Sequence, residues 1–302
     1  MSIEAQSVRR PTSGATPAEI AALLQDVRKR TIALTEDLSD TELMGPLLPV
    51  VNPVLWEIGH VGWFHEFWTL RHLHGRPSLI ARSDKLWDSS NVAHDTRWNL
   101  DWPDRNSVFA YLSEVLKNQQ ARLAEGVDDN AAYYYELRLV PEDMHGEALT
   151  YMRQTWGYRP PSGLGNALVQ EAGDLPGDVG VPGGVWQLGS TPGDGFVFDN
   201  EKWSHAVQLE PFRIARSPVT NAEFAAFVED DGYRRQELWT PAGWEWRSNT
   251  AVERPAYWQP PSNDGWTWRH YDRIEELAPH QPVTHVNWFE ADAWCRWACL
   301  LY

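Results

Sequence analysis

Two histidines stand out for where they fall rather than for any motif of their own. His60 lies in the apolar stretch NPVLWEIGHVGWFHEFWTLR, and His145 lies in EDMHGEALTYMRQTW, followed two residues later by Glu147. Singly, His60 reads better as a satisfied core histidine than as a ligand, and His145 is ambiguous. Together they sit on the two stretches best suited to face one another as helices, and helical bundles build metal sites in this way. Neutral imidazole suits iron, zinc or copper. A second group is Asp95, Arg97 and Trp98, in SDKLWDSSNVAHDTRWNL, where a planar guanidinium and an indole could hold the charged ends of a zwitterion or simply decorate a surface. Asp199, Asn200 and Glu201 offer oxygen ligands of the calcium type but read better as a turn. Cys295 and Cys299, the two cysteines of the chain, are four apart and read as packing residues on a helix. Gly183, Gly184 and Gly189 are turn glycines, not a phosphate loop.

The elements that must position these groups follow from periodicity. Thr16-Pro17-Ala18-Glu19 is a capping box with proline at the first helical position, and Ile20, Leu23, Leu24, Val27 and Leu34 follow at helical spacing. A second helix begins at Asn52-Pro53 and ends near Gly75, apolar nearly all round and therefore central. A third follows Asn106, with Val108, Leu112, Val115, Leu116 and Leu123 inward, and a fourth runs from about Asn130 to Trp156. Four helices with one long crossover, residues 76–105, predict an up-and-down four-helix bundle over residues 17–158, after a disordered N-terminus (1–16). The crossover is too rich in charge and aromatics for a passive tether. Residues 159–182 are dense in Pro and Gly and form the linker to a second domain, 183–302, of short strand-like runs and two helices, one starting at the capping box Thr220–Glu223.

Composition narrows the function. The 302 residues carry a formal net charge of -16, which argues against a nucleic-acid partner bound through a broad basic face. No apolar run nears the ~20 residues of a membrane span, and the N-terminus has no signal-peptide core, so a cytoplasmic protein without a membrane partner is expected. The 18 tryptophans are chiefly packing material, though a few indole faces would suit a quaternary ammonium.

These segments resemble a known family. The second helix, the crossover text DSSNVAHDTRW and the fourth-helix text EDMHGEALTYMRQTWGY are similar to the metal-binding bundle of the ergothioneine and selenoneine synthases. GGVWQLGS, FDNEKWSHAVQLEPFRIARSPVTNAEFAAFVEDDGYRRQELW and PVTHVNWFEADAWCRWA resemble the irregular, C-type-lectin-like domain of the formylglycine-generating-enzyme kind that is fused to that bundle. The resemblance covers nearly the whole chain from Pro17, and helices two and four look closest to the selenoneine branch. It implies an Fe(II) site of three histidines and an O2-dependent enzyme that joins sulfur or selenium to the imidazole C2 of hercynine. The co-substrate would be a selenosugar, or a thiol such as cysteine or gamma-glutamylcysteine.

Carried over by position, the ligands are His60 and the second histidine of a His-x-x-x-His-x-Glu pattern, His145, with Glu147 beside it. The first histidine of that pattern falls at Pro141, which cannot bind a metal and removes a helical donor. Glu142, His65 and His94 are the available substitutes. The chain also ends at Tyr302, before a Trp-, Gly- and Asn-rich segment the family carries, so the second domain is expected to be incomplete. Three alternatives follow: a thiol-using sulfoxide synthase, a non-catalytic binding protein with an incomplete iron site, and a formylglycine-generating oxidase. The last needs a reactive cysteine pair in the second domain's pocket, whereas Cys295 and Cys299 lie on the terminal helix.

Overall fold

A computed structural model describes residues 15–162, 173, 175–192, 196–261 and 265–299. The disordered N-terminus expected over residues 1–16 lies almost wholly outside them. The chain divides into two compact units, one built on the helices up to residue 165 together with residues 187–207, the other on residues 166–186 and 208–302.

In the first unit α1 (Pro17–Ala33) starts at Thr16, whose side chain accepts from the backbone of Glu19 while Glu19 answers, the reciprocal cap legible in the sequence. A short α2 (Asp40–Met44) is capped in the same way by Ser39 and Glu42. Helix α3 (Val54–His65) is buried on nearly every side. It continues as a wider π turn over Glu66–His72, so the expected second helix is present but changes its winding. A short α4 (Ser83–Trp87) and a single 3-10 turn (His94–Thr96) punctuate the crossover. Then come α5 (Arg105–Ala124) and α6 (Asp129–Trp156). Helix α1 packs on α5 and α6, and α3 packs on α4, α5 and α6. The core joins Ile58, Val61 and Trp56 of α3 to Val108, Leu112 and Val115 of α5 and to Leu149 and Met152 of α6. Proline at 141 does not end α6, which runs through it.

Close approach in this core depends on glycine. A Cβ at Gly59 would meet Trp87 Nε1 at 2.1 Å, so the indole of α4 lies directly on the backbone of α3. Trp87 in turn stacks on Tyr111 of α5, with ring centroids 5.1 Å apart.

Strands β1 (Asp178–Val181) and β4 (Phe212–Ala215) pair antiparallel, with Asp178 opposite Ala215. Strand β2 (Gly184–Leu188) pairs with β3 (His205–Leu209), and Asp199–Glu201 between them is a 3-10 turn. In the second unit α7 (Asn221–Glu229) begins at the Thr220–Glu223 capping box, and α8 (Pro241–Thr250) follows. Strands β5 (Thr267–His270) and β6 (Arg273–Glu276) form a hairpin ahead of α9 (Trp288–Cys299). Phe224, Phe227, Tyr233, Trp239, Trp258, Ala293 and Trp297 make this unit's core. Among the described residues no helix is long and apolar enough to cross a membrane.

Candidate metal and substrate site

His60 and His145 meet. Their ring centroids lie 5.1 Å apart with planes at 66°, one on α3 and one on α6. Each ring has one nitrogen already committed. His60 Nδ1 donates to the carbonyl of Trp87 at 2.7 Å, and His145 Nδ1 donates to Glu57 Oε2 at 2.7 Å. A carbonyl and a carboxylate can only accept, so both imidazoles carry their proton on Nδ1 and keep Nε2 as a lone-pair donor. A histidine ligand is usually oriented by such a partner on its other nitrogen. Trp56 stacks on His60 at 4.7 Å and 7°, which fixes the ring plane.

Burial, and next the neighbouring His145, pushes the His60 imidazole down to about 4, so it is neutral at physiological pH. Burial works to raise the Glu57 carboxyl, but the hydrogen bonds of His145 and Asn52 outweigh it and hold it below its ordinary range. Glu57 is therefore an anion when it orients His145. Sequence reasoning passed over Glu57 and Asn52. The only signal available was their position at the start of the helix that carries His60, a helix otherwise apolar.

Arg97 reaches the same cluster from the crossover. Its Nη1 donates to Asn52 Oδ1 at 2.7 Å, and Asn52 Nδ2 donates to Glu57 Oε1 at 2.6 Å. Arg97 Nε and Nη2 both reach the carbonyl of Val92, and its guanidinium lies 3.7 Å over the Trp56 ring. Arg97 is 9% exposed, with its guanidinium engaged within the protein. Trp98 is half-buried and donates to the carbonyl of Gly45 at 2.9 Å. Asp95 is exposed on the 3-10 turn. Glu147 is also exposed, bordering a groove between α1 and α6 with Thr31, Leu34 and Thr150, and is not turned toward His60.

The substitutes for position 141 are occupied elsewhere. Glu142 is gripped by Arg28, with Nε to Oε1 at 2.8 Å and both side chains buried, and Thr31 adds a hydrogen bond at 2.8 Å. Burial works to raise the Glu142 carboxyl, yet Arg28 and His65 hold it far below its usual range. His65 Nδ1 accepts from Gln119 at 3.1 Å, and its Nε2 lies 2.9 Å from Glu142 Oε2. His94 Nε2 donates to the carbonyl of Val51 at 2.6 Å. Among the described residues, no three His, Cys, Asp or Glu side chains converge as a metal set. Two imidazole lone pairs suit iron, but the three-histidine set that the resemblance implies is not met by these residues.

Residues 23–152 match the DinB superfamily, and residues 165–300 match the sulfatase-modifying factor enzyme 1-like domain. The chain is 33% identical over 278 residues to the hercynine oxygenase of Mycolicibacterium smegmatis, across 90% of this chain and 63% of that protein. It is 33% identical over 291 residues to the hercynine oxygenase of Mycolicibacterium thermoresistibile, across 93% of this chain and 63% of that one. A stretch of 142 residues is 33% identical to the formylglycine-generating enzyme of Streptomyces coelicolor, covering 40% and 42% of the two chains. The chain thus spans about 63% of the length of the hercynine oxygenases it resembles. A DinB-like helical domain is followed by a domain similar to the sulfatase-modifying factor enzyme 1-like family, and along nine-tenths of its length the chain is similar to proteins named hercynine oxygenases.

Proposed function

We propose that this chain is an oxygen-dependent oxidoreductase acting on hercynine, and that it forms a carbon–selenium or carbon–sulfur bond at the imidazole C2. In this reading a selenosugar or a thiol is the co-substrate, the C2–H bond is replaced by the carbon–chalcogen bond, and O2 is the oxidant. Fe(II) is the cofactor, with His60 and His145 as its protein ligands. The observation that carries the reading is the pair itself: two facing imidazoles whose Nδ1 protons are both engaged, leaving both Nε2 atoms as donors. The likeness to proteins named hercynine oxygenases supports hercynine as the substrate. Arg97 serves this site as a positioning residue, through Asn52 and Glu57.

A second reading has its own observation. Pro141 stands where the third imidazole belongs, which favours a binding protein that keeps the fold without the oxidation chemistry.

The two separate in one set of measurements. Anaerobic titration of the chain with Fe(II), followed by O2 uptake with hercynine and cysteine, should show stoichiometric iron and hercynine-dependent oxygen consumption. Pro141→His should tighten iron binding, and His60→Ala should abolish it. Hercynine binding without iron or oxygen uptake would establish the binding-protein reading. Absence of hercynine binding would defeat both.

A further inference from the structure

Helices α3 and α6 meet along a seam of three successive pairs. His60 faces His145, Arg138 lies over Phe64, and Tyr134 stacks on Trp68 at 5.8 Å. The middle pair holds a charge that no ion pair among the described residues neutralises. The Arg138 guanidinium sits 3.9 Å from the Phe64 ring centre and 5.3 Å from that of Trp68. The residue is 2% exposed, and neither its Nε nor its Nη1 has a hydrogen-bond partner among the described residues. No ion pair is formed by Arg138 among those residues. Glu142, one turn further along α6, is held by Arg28 instead.

An unpaired buried cation is among the most unfavourable groups a core can hold. Burial lowers the Arg138 guanidinium to about 9. The two aromatic faces offset part of this cost, but they leave the in-plane Nε–H and Nη1–H donors without a partner among the described residues. Each lies on an edge shared with Nη2, and both edges of a guanidinium are forks that match a carboxylate. The surroundings are reachable: Phe64, Trp68, Tyr134, Pro141 and His145 are all only half-buried. Position 138 is seven residues from His145, hence on the same helical face and about 10 Å away along the axis. Phe64 bridges the two, since its ring also stacks on His60 at 5.8 Å.

We propose that Arg138 anchors a carboxylate-binding subsite in the α3–α6 seam, beside the His60–His145 pair. The ligand class is a small monoanionic or zwitterionic carboxylate. The net charge of -16 disfavours polyanions such as nucleotides. That the carboxylate is hercynine's own rests on the reading above, and the test keeps the two apart.

Sodium acetate is titrated against sodium chloride at constant ionic strength, and thermal unfolding of the full chain is followed. Acetate should raise the midpoint saturably in the wild type and leave Arg138→Met unmoved. Without acetate, Arg138→Met should be at least as stable as the wild type. If the Met variant does not fold, Arg138→Lys serves instead: it keeps the charge, loses the fork, and should lose most of the acetate response. An equal acetate shift in wild type and variant, or none in the wild type, overturns the subsite. Calorimetry with hercynine then reads the substrate: affinity should fall by about tenfold or more in Arg138→Met, while hercynine's decarboxylated analogue binds both forms alike. An Arg138-dependent acetate response without hercynine binding keeps the subsite and overturns the hercynine reading. Hercynine binding of equal strength in both proteins overturns the subsite and keeps the hercynine reading.

Discussion

Glu57 Oε2 accepts the Nδ1 proton of His145 at 2.7 Å, so a carboxylate on α3 sets the tautomer and the rotamer of an imidazole on α6. Glu57→Gln can present an N–H instead of an acceptor, and the imidazole loses the partner that leaves its Nε2 as a lone-pair donor. Divalent metal affinity should drop by about 10–100-fold, the usual consequence of removing an orienting partner. Anaerobic titration with Fe(II) and with Co(II), alongside circular dichroism to confirm the fold, measures this. Unchanged affinity would mean that His145 is not held for a metal.

Arg97 behaves as a structural cation, not a surface one. Its N–H groups reach Asn52 and Val92, and it lies on Trp56. Arg97→Ala should therefore cost about 1–3 kcal/mol, well above the ~0.5 kcal/mol of an exposed site. Arg97→Lys should recover little, because an ammonium cannot make the same fork or stack as a plane. Urea unfolding of the three proteins decides it, and a loss below ~0.5 kcal/mol for the alanine variant would return the residue to the surface.

Gly59→Ala should be disproportionately harmful for one methyl group. The new Cβ would overlap the Trp87 indole, which is buried and wedged against Tyr111. Displacement of Trp87 also moves the carbonyl that receives the His60 proton. A loss of about 1–3 kcal/mol is expected from overpacking, accompanied by weaker metal binding. Full stability in the variant would show that Trp87 is free to shift.

His65 gives the helical unit an acid-sensitive core. Burial lowers its imidazole below the ordinary 6.5, although Glu142 opposes this. A depressed histidine takes up its proton more readily in the unfolded chain, so stability is full above about 6.5 and is lost as pH falls below it. Glu142, depressed as well, adds to the loss in the same direction at lower pH. Denaturation midpoints between pH 7.5 and 4.5 should fall for the wild type and flatten for His65→Gln. A parallel decline in both would assign the effect to other groups.

Local signals were the most legible part of the sequence. The caps at Thr16 and Thr220 are fixed by residues three apart and need no tertiary context. The apolar run around His60 revealed a central helix, and the site followed from asking which helices would face it. What stayed hidden depends on residues far apart in sequence. Nothing local says that Asn52, Glu57 and Arg97 join across 45 positions, or that Arg28 claims Glu142 across 114. Arg138 gave no signal, because a single unsatisfied cation leaves no trace in periodicity. The π turn at Glu66–His72 was equally invisible, since its residues fit an α-helical pattern.

The crossover is fastened beside the start of α3, by Arg97 to Asn52 and by His94 to the carbonyl of Val51. A ligand entering here meets walls that have lost their conformational freedom beforehand, so little ordering entropy is left for the encounter to supply. Association should then run at an ordinary diffusive rate, with no slow step in which a loop settles. Differences among ligands would appear as residence times: how long each is retained, not how fast it arrives.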